Sequence, residues 1–247
     1  NYPVDGFFFD IVHAVPCACR YCVEGMLAEG LEPESAQHRQ GYAVEVLARF
    51  EERMSALVRK HQPDAFIFYN SGHIGPLHRR VRDHFTHFEL ESLPGGQWGY
   101  AHFPPAQRYA RTLGLPTISH TVKFHTAWGD FSSYRNPAAL EYECMRMLAL
   151  GCRCEIGDQL PPDGRLDGPT YELIGEVYRR VEEAEPWCDG AEAVVDIAVM
   201  TPEEFASDSS FRAIPASLFG ADKMLQELHH QFDVIDSQAD FARYRLI

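Results

Sequence analysis

Long apolar runs are missing from this 247-residue chain. No stretch approaches the roughly 18 uninterrupted residues that a membrane-spanning helix needs. The first residues show neither a positively charged start nor the apolar core of a secretion signal, so no membrane partner is expected. Basic charge is short as well: 22 Lys and Arg face 36 Asp and Glu, a formal net charge of −14, and no basic stripe offsets it. Such a chain repels phosphate backbones, which argues against nucleic acid as a partner. An even disulfide framework is lacking, because the cysteines number seven and three of them crowd into Cys17, Cys19 and Cys22. That usage points to a reducing, cytoplasmic setting or to a bound metal rather than to a secreted disulfide scaffold. None of the 12 histidines stands in an H-x-H or H-E-x-x-H spacing, the sequence marks of hydrolytic metal centres. What remains, 45% hydrophobic and 23% charged, is ordinary globular usage.

What the chain does contain is a recurring strand ending. Five short apolar runs each finish on a polar residue: FFFD at Asp10, FIFYN at Asn70, FELE at Glu91, TVKFH at His125 and CEIGD at Asp158. In (β/α) barrels the strand bodies are apolar packing and the chemistry sits at their C-terminal ends. Asp10 and Glu91 supply carboxylates that would pair across such a mouth. Paired carboxylates point first to glycoside hydrolysis, in which one group transfers a proton and the other attacks or activates water. Glu89 rivals Glu91, since residues two apart share a strand face; Glu91 is preferred because it lies nearer the mouth. Trp98, Tyr100 and Trp128 stand in loops just past strand ends, where ring faces stack on the C–H surface of a sugar. Asn70, His125, Asp158 and the adjacent Gln159 complete the candidate substrate-binding set.

Strands and helices alternate through the first three quarters of the chain. Tyr42, Val46, Leu47, Phe50, Met54 and Leu57 recur at helical spacing and predict a helix over 34–61, ended by Pro63. AFIFYN follows as a strand, then a short basic helix over 78–84, the strand HFELES, a glycine- and aromatic-rich loop and a helix ending at Gly114. A strand near PTISHTVKFH, a helix over 137–150, the strand CRCEIGD and a helix over 171–185 complete the set. This repetition implies a parallel sheet with right-handed crossovers. The fold expected is the C-terminal five βα units of a (β/α)8 TIM-type barrel over 1–190. After EPWCDG the register changes: AVVDIAVMT, a helix over 218–230, FDVID and YRLI predict the beginning of a flavodoxin-like doubly wound domain over 191–247. The opening strand without an earlier partner and the apolar stop at Ile247 suggest a fragment of a longer chain.

DGFFFDI, CACRYC, FELESLPGGQWGYAHF, KFHTAWGDF, YECMRMLALGCRCEIGDQLPPDG and GADKMLQELHHQFDVID together resemble barrel glycoside hydrolases of the hypothetical-glycosidase group. That group is related to α-L-fucosidases and family 42 β-galactosidases, and its barrel can be followed by the flavodoxin-like β-galactosidase trimerisation domain. The resemblance covers nearly the whole chain. It implies hydrolysis of an α-L-fucoside- or β-galactoside-type substrate, and a homo-oligomer in the full-length protein. With CEIGD as the eighth barrel strand, FFFD becomes the fourth and FELE the sixth. The α-L-fucosidase-like pattern then implies Asp10 as nucleophile and Glu91, or Glu89, as acid/base of a retaining double displacement.

Cys17, Cys19 and Cys22 form C-x-C-x-x-C, which places three soft ligands close together, whereas structural zinc takes four. The resemblance to family 42 β-galactosidases implies a structural zinc completed by a cysteine from further upstream; His13 is a possible substitute, and unligated thiols remain the alternative. Cys144, Cys152, Cys154 and Cys188 read as small core residues. No cofactor is required by the expected chemistry. Two other readings stay open: a metal-dependent hydrolase built on the cysteine trio and histidines, and a sugar-binding barrel without catalysis. A carboxylate pair facing one cleft favours the glycosidase over both.

Overall fold

In the β-strands Gly6–Phe9 (β1) and Phe66–Tyr69 (β2) successive side chains alternate between two environments, as the pleat requires. The computed structural model describes residues 2–70, 72–95, 98–205 and 214–247. β1 pairs parallel with β2, with Gly6 opposite Phe66 and Phe9 opposite Tyr69. Phe9 stacks on Tyr69 at 4.7 Å and meets Phe50 edge-on at 6.2 Å. Phe8 and Phe68 stack on the opposite face at 4.6 Å. Parallel neighbours need a long crossover, supplied here by two helices, Arg20–Ala28 (α1) and Ala36–His61 (α2). The sequence signal anticipated only the second. α2 starts at its Ser35 cap, whose hydroxyl accepts from the His38 N–H at 3.3 Å.

A second parallel sheet joins Phe88–Glu91 (β3), Thr117–Val122 (β4) and Arg153–Gly157 (β5) in chain order. Their crossovers are Phe103–Ala110 (α4) and Pro137–Ala149 (α5), and Gly168–Cys188 (α6) follows β5. A single helical turn, Leu77–Val81 (α3), leads from β2 towards β3. The five strands therefore form two sheets rather than one ladder. Thr86 joins them: its N–H donates to the Ile67 carbonyl at 2.9 Å and its hydroxyl accepts from the Ile67 N–H at 2.9 Å. β4 ends at Val122, three residues earlier than expected, so His125 belongs to the following loop and not to a strand end.

Beyond α6, Ile197–Met200 (β6), Ala216–Glu227 (α7) and Phe232–Ile235 (β7) make a parallel βαβ unit. β6 is shorter than the expected AVVDIAVMT strand. YRLI is reduced to one bridge, Leu246 to Ile197, and follows a 3₁₀ turn at Phe241–Arg243. This unit shares the main core: Ile214, Leu218, Phe232 and Val234 pack in one cluster with Ile67, Leu90, Ala106 and Tyr109. All eight residues of α4 are buried. Among the described residues, no helix is long and apolar enough to cross a membrane.

Candidate active site

A cavity of about 800 Å³ opens at the C-terminal ends of β1 to β5. Asp10 follows β1, Asn70 follows β2 and Glu91 ends β3, so three consecutive strands deliver their last polar residues to one wall. The Asn70 side-chain amide donates to Asp10 Oδ1 at 3.0 Å and to Glu91 Oε2 at 2.8 Å. One nitrogen bonded to both oxygens cannot leave them farther apart than the two bonds laid end to end, 5.8 Å; at a trigonal amide angle the gap is about 5 Å. The other oxygen of Glu91 accepts from the Trp128 indole N–H at 2.9 Å. Asp10 Oδ1 also accepts from the Ile11 N–H at 2.9 Å, and Ile11 holds φ at +52°. A β-branched residue in the left-handed region is strained, a condition that gathers where a functional side chain must be held in place.

The two glutamates of β3 separate clearly, although both lie on the face opposite Phe88 and Leu90. Glu91 lines the cavity, half-exposed. Glu89 is 2% exposed and does not line it. Its Oε1 lies 3.2 Å from His120 Nδ1. Burial pushes the Glu89 carboxyl above the ordinary range against the pull of His120. Burial also works to lower His120, but the carboxylates of Glu89, Glu155 and Glu91 outweigh it and raise the imidazole. The pair therefore retains a proton to higher pH than ordinary groups would. Glu155 closes this group, with ligand-type atoms of Glu89, His120 and Glu155 all within 4.8 Å of one another. Sequence reasoning missed His120 and Glu155; the signal was a polar residue two positions before a strand end. The His120 ring stands 5.6 Å from Trp128, and a Cβ on Gly157 would fall 2.2 Å from His120 Nε2 and 2.8 Å from the Trp128 ring, so only glycine fits between them.

The remaining candidates divide. Trp98, Trp128 and Asp158 line the cavity with Asn70. His125, Tyr100 and Gln159 do not. His125 is exposed in the loop after β4, where its N–H donates to Ser133 Oγ at 3.0 Å. Tyr100 turns to the helix layer, donating to Glu143 Oε1 at 2.9 Å and accepting from Arg135 at 3.1 Å. Gln159 is buried, and its backbone N–H donates to Asp158 Oδ1 at 2.7 Å. Lys123, also missed, braces the loop that carries Trp128: its ammonium donates to the Phe131 carbonyl at 2.8 Å and lies 4.9 Å from the centre of the Tyr134 ring.

The sulfurs of Cys17, Cys19 and Cys22 converge to within 4.8 Å of one another at the start of α1. The Cys22 N–H···S interaction and the neighbouring thiols lower Cys19 to about 7, while burial and the same thiols push Cys22 up to about 11. Three convergent thiols could supply three of the four ligands that a structural zinc takes. His13 is not part of the convergent set, although it borders the same small cavity as Cys17 and Cys22.

No family model matches this chain, nor does any curated protein sequence. Solved structures do. The chain is structurally related to glycoside hydrolases. It is similar to alpha-L-fucosidase isoenzyme 2 from Paenibacillus thiaminolyticus, at 39% identity and a TM-score of 0.91, over 99% of this chain and 38% of that one. It also resembles the beta-galactosidase from Bacillus circulans sp. alkalophilus, at 13% identity and a TM-score of 0.66, over 85% of this chain and 35% of that one; this second likeness concerns the fold alone. The chain thus spans little more than a third of the length of the structures it matches.

Proposed function

We propose that this chain belongs to a glycoside hydrolase that removes a terminal sugar by a retaining double displacement. The observation that carries the reading is the single Asn70 amide bonded to Asp10 and Glu91 at once. A shared amide keeps Asp10 Oδ1 and Glu91 Oε2 within 5.8 Å of each other, which supports retention, with carboxyls about 5–5.5 Å apart, over inversion, at roughly 6.5–9.5 Å. Asp10, at the open rim, attacks the anomeric carbon, and Glu91 gives its proton to the leaving oxygen. Each Glu91 oxygen accepts one hydrogen bond in the free site and keeps a second lone-pair position, where the proton passed to the leaving oxygen is carried. The same carboxyl then takes the proton of the attacking water. Glu89 is too deeply buried for this work and acts through His120. Trp128 and Trp98 offer ring faces to the sugar, and Asn70 and Asp158 offer polar contacts.

Similarity to an α-L-fucosidase at 39% identity favours an α-L-fucoside over a β-galactoside. The strands β1 to β5 are read as five units of a TIM-type barrel, and 191–247 as the beginning of a flavodoxin-like unit that supports a homo-oligomer of the whole cytoplasmic protein. Cys17, Cys19 and Cys22 would hold a structural zinc that ties the segment after β1 to α1; the catalytic steps make no use of it.

The test is a screen of the complete protein against aryl glycosides, with the product anomer followed by NMR. Release of the retained anomer from an α-L-fucoside is expected. An inverted product would remove Asp10 as nucleophile, and binding of free sugar without turnover on any glycoside would favour the sugar-binding barrel.

A further inference from the structure

The side chains that hold the carboxylate pair are themselves held from the far end of the chain. Glu203, in the turn after β6, places Oε2 2.7 Å from His73 Nε2, and the two side chains are 15% and 4% exposed. Its other oxygen accepts from the Thr201 hydroxyl at 2.8 Å, which fixes the carboxylate. The fit is close: a Cβ on Gly75 would fall 2.6 Å from Glu203 Oε2 and 3.0 Å from His73 Nε2. His73 lies on the loop that begins at Asn70, and the Asn70 side-chain oxygen accepts from the Gly72 N–H at 3.2 Å. Asn70 therefore has its oxygen committed to this loop and its nitrogen committed to Asp10 and Glu91. Glu91 is reached by the same cluster from the other side. Its neighbour Ser92 bonds His102 Nδ1 at 2.7 Å, and the His102 ring lies 5.5 Å from the His73 ring and 4.3 Å from that of Trp98.

We infer that Glu203 is a positioning residue for the hydrolytic site: through His73 it sets the loop that points the Asn70 amide at Asp10 and Glu91. The inference rests on the glycosidase reading for its rate consequences, but its geometry stands by itself. A long, adaptable loop would let the amide swing between the two carboxylates; a buried ion-paired or hydrogen-bonded imidazole in mid-loop prevents it. Misplacement by about 1 Å of a group that orients the reacting atoms costs up to a hundredfold in rate, so the contact is coupled to turnover and not only to stability.

The experiment compares Glu203→Ala, Glu203→Gln and Asp222→Asn in the full-length protein. Glu203→Ala should lower kcat on an aryl α-L-fucoside about tenfold or more with KM little changed, and Glu203→Gln, which still offers His73 an acceptor, should restore most of it. Asp222→Asn, at another contact of the same C-terminal unit, should lower Tm without changing kcat. A crystal structure of Glu203→Ala should show the Asn70 nitrogen beyond hydrogen-bond reach, about 3.5 Å, of Asp10 or Glu91. Retention of both Asn70 bonds in that structure overturns the inference whatever the rate. A wild-type protein inert on every glycoside would sink the glycosidase reading alone, and the crystal geometry would still decide this one.

Discussion

Asp10 and Glu91 look alike in the sequence but are held differently, and substitutions at each should fail differently. Asp10 accepts from two donors on one oxygen, Asn70 and its own neighbour Ile11. An amide at position 10 can keep its oxygen in the same place, so Asp10→Asn should leave Tm nearly unchanged while removing the nucleophile and, with it, more than about 99.9% of kcat. Steady-state turnover with an aryl glycoside, beside a thermal melt, checks both halves; an active, folded variant would remove Asp10 from the chemistry. Glu91 accepts on both oxygens, and an amide can accept on only one. Glu91→Gln should therefore cost some stability, about 1 kcal/mol for the donor left over. Kinetically, it should slow glycosides with poor leaving groups far more than those with activated aryl groups, because only the former need a proton in the transition state. Equal loss across a leaving-group series would move the acid role elsewhere. The pair was legible in the sequence as polar residues closing apolar runs, and so was Asn70, but not the fact that Asn70 spans the pair. Such a contact depends on the spatial order of β1, β2 and β3, which no local pattern states.

At the level of elements, α2 shows why periodicity finds a helix but not its buried face. Tyr42 and Met54 of the expected stripe do pack inward and Phe50 meets Phe9 and Tyr69 edge-on, yet Val46 and Leu57 are 41% and 47% exposed. The face turned to β2 instead buries Glu51 and Ser55. Ser55 donates to the His84 carbonyl at 2.7 Å and shares a 2.8 Å bond with the Tyr69 hydroxyl, and that hydroxyl reaches the Glu51 carbonyl at 2.9 Å. Polar partners on two other elements thus rotate the helix away from its most apolar stripe. α1 was missed for a similar reason: thiols dominate its start, and its packing on α2 depends on Gly25, where a Cβ would fall 1.9 Å from the Tyr42 hydroxyl. The β4 end was overread because KFH continues an apolar pattern, while Lys123 in fact turns to serve the following loop. One consequence is measurable in α2. Burial pushes the Glu51 carboxyl up to about 7. A carboxyl raised in the folded state binds its proton more tightly there than in the unfolded chain, so its contribution to stability is present below its unfolded pKa and is lost as pH rises to about 7. Glu51→Gln should therefore raise Tm at pH 8 and change it little at pH 4.5, with a gain of at most about 3 kcal/mol. Calorimetry across that range checks it, and an equal shift at both pH values would show a packing effect instead.

On the scale of the whole molecule, the sequence signalled a change of register after Gly190 but not how firmly the later segment is joined to the earlier one. The junction is built on α4, the 3₁₀ turn Arg111–Leu113 that follows it, and α3, which present Arg108, Tyr109, Arg111 and Arg79 to three aspartates. Arg108 meets Asp222 at 3.4 Å, Arg111 meets Asp233 at 2.8 Å, and Arg79 and Tyr109 both reach Asp236 Oδ2 at 2.6 Å. Apolar packing of Phe232 and Val234 surrounds these contacts. In a chain with a large acidic excess, placing arginines at one internal junction gives the later segment a single docking orientation, since each misplaced aspartate would be buried without a partner. Asp236 is the strongest test, because it is 1% exposed and accepts from Arg79 and Tyr109 on one oxygen and from the Gln238 N–H on the other. Burial alone would raise its pKa, but the bonds from Arg79 and Tyr109 outweigh burial and hold it below the ordinary range. Its stabilising contribution is therefore present above the unfolded carboxyl pKa and fades as pH falls through the lowered folded value. Asp236→Ala leaves a guanidinium and a phenol without their acceptor, and should cost about 3–5 kcal/mol at pH 7. Asp236→Asn keeps one acceptor oxygen and should cost less. Denaturant unfolding of the full-length protein at pH 7 measures both, and a loss under about 1 kcal/mol for Asp236→Ala would show that the apolar contacts alone fix the junction.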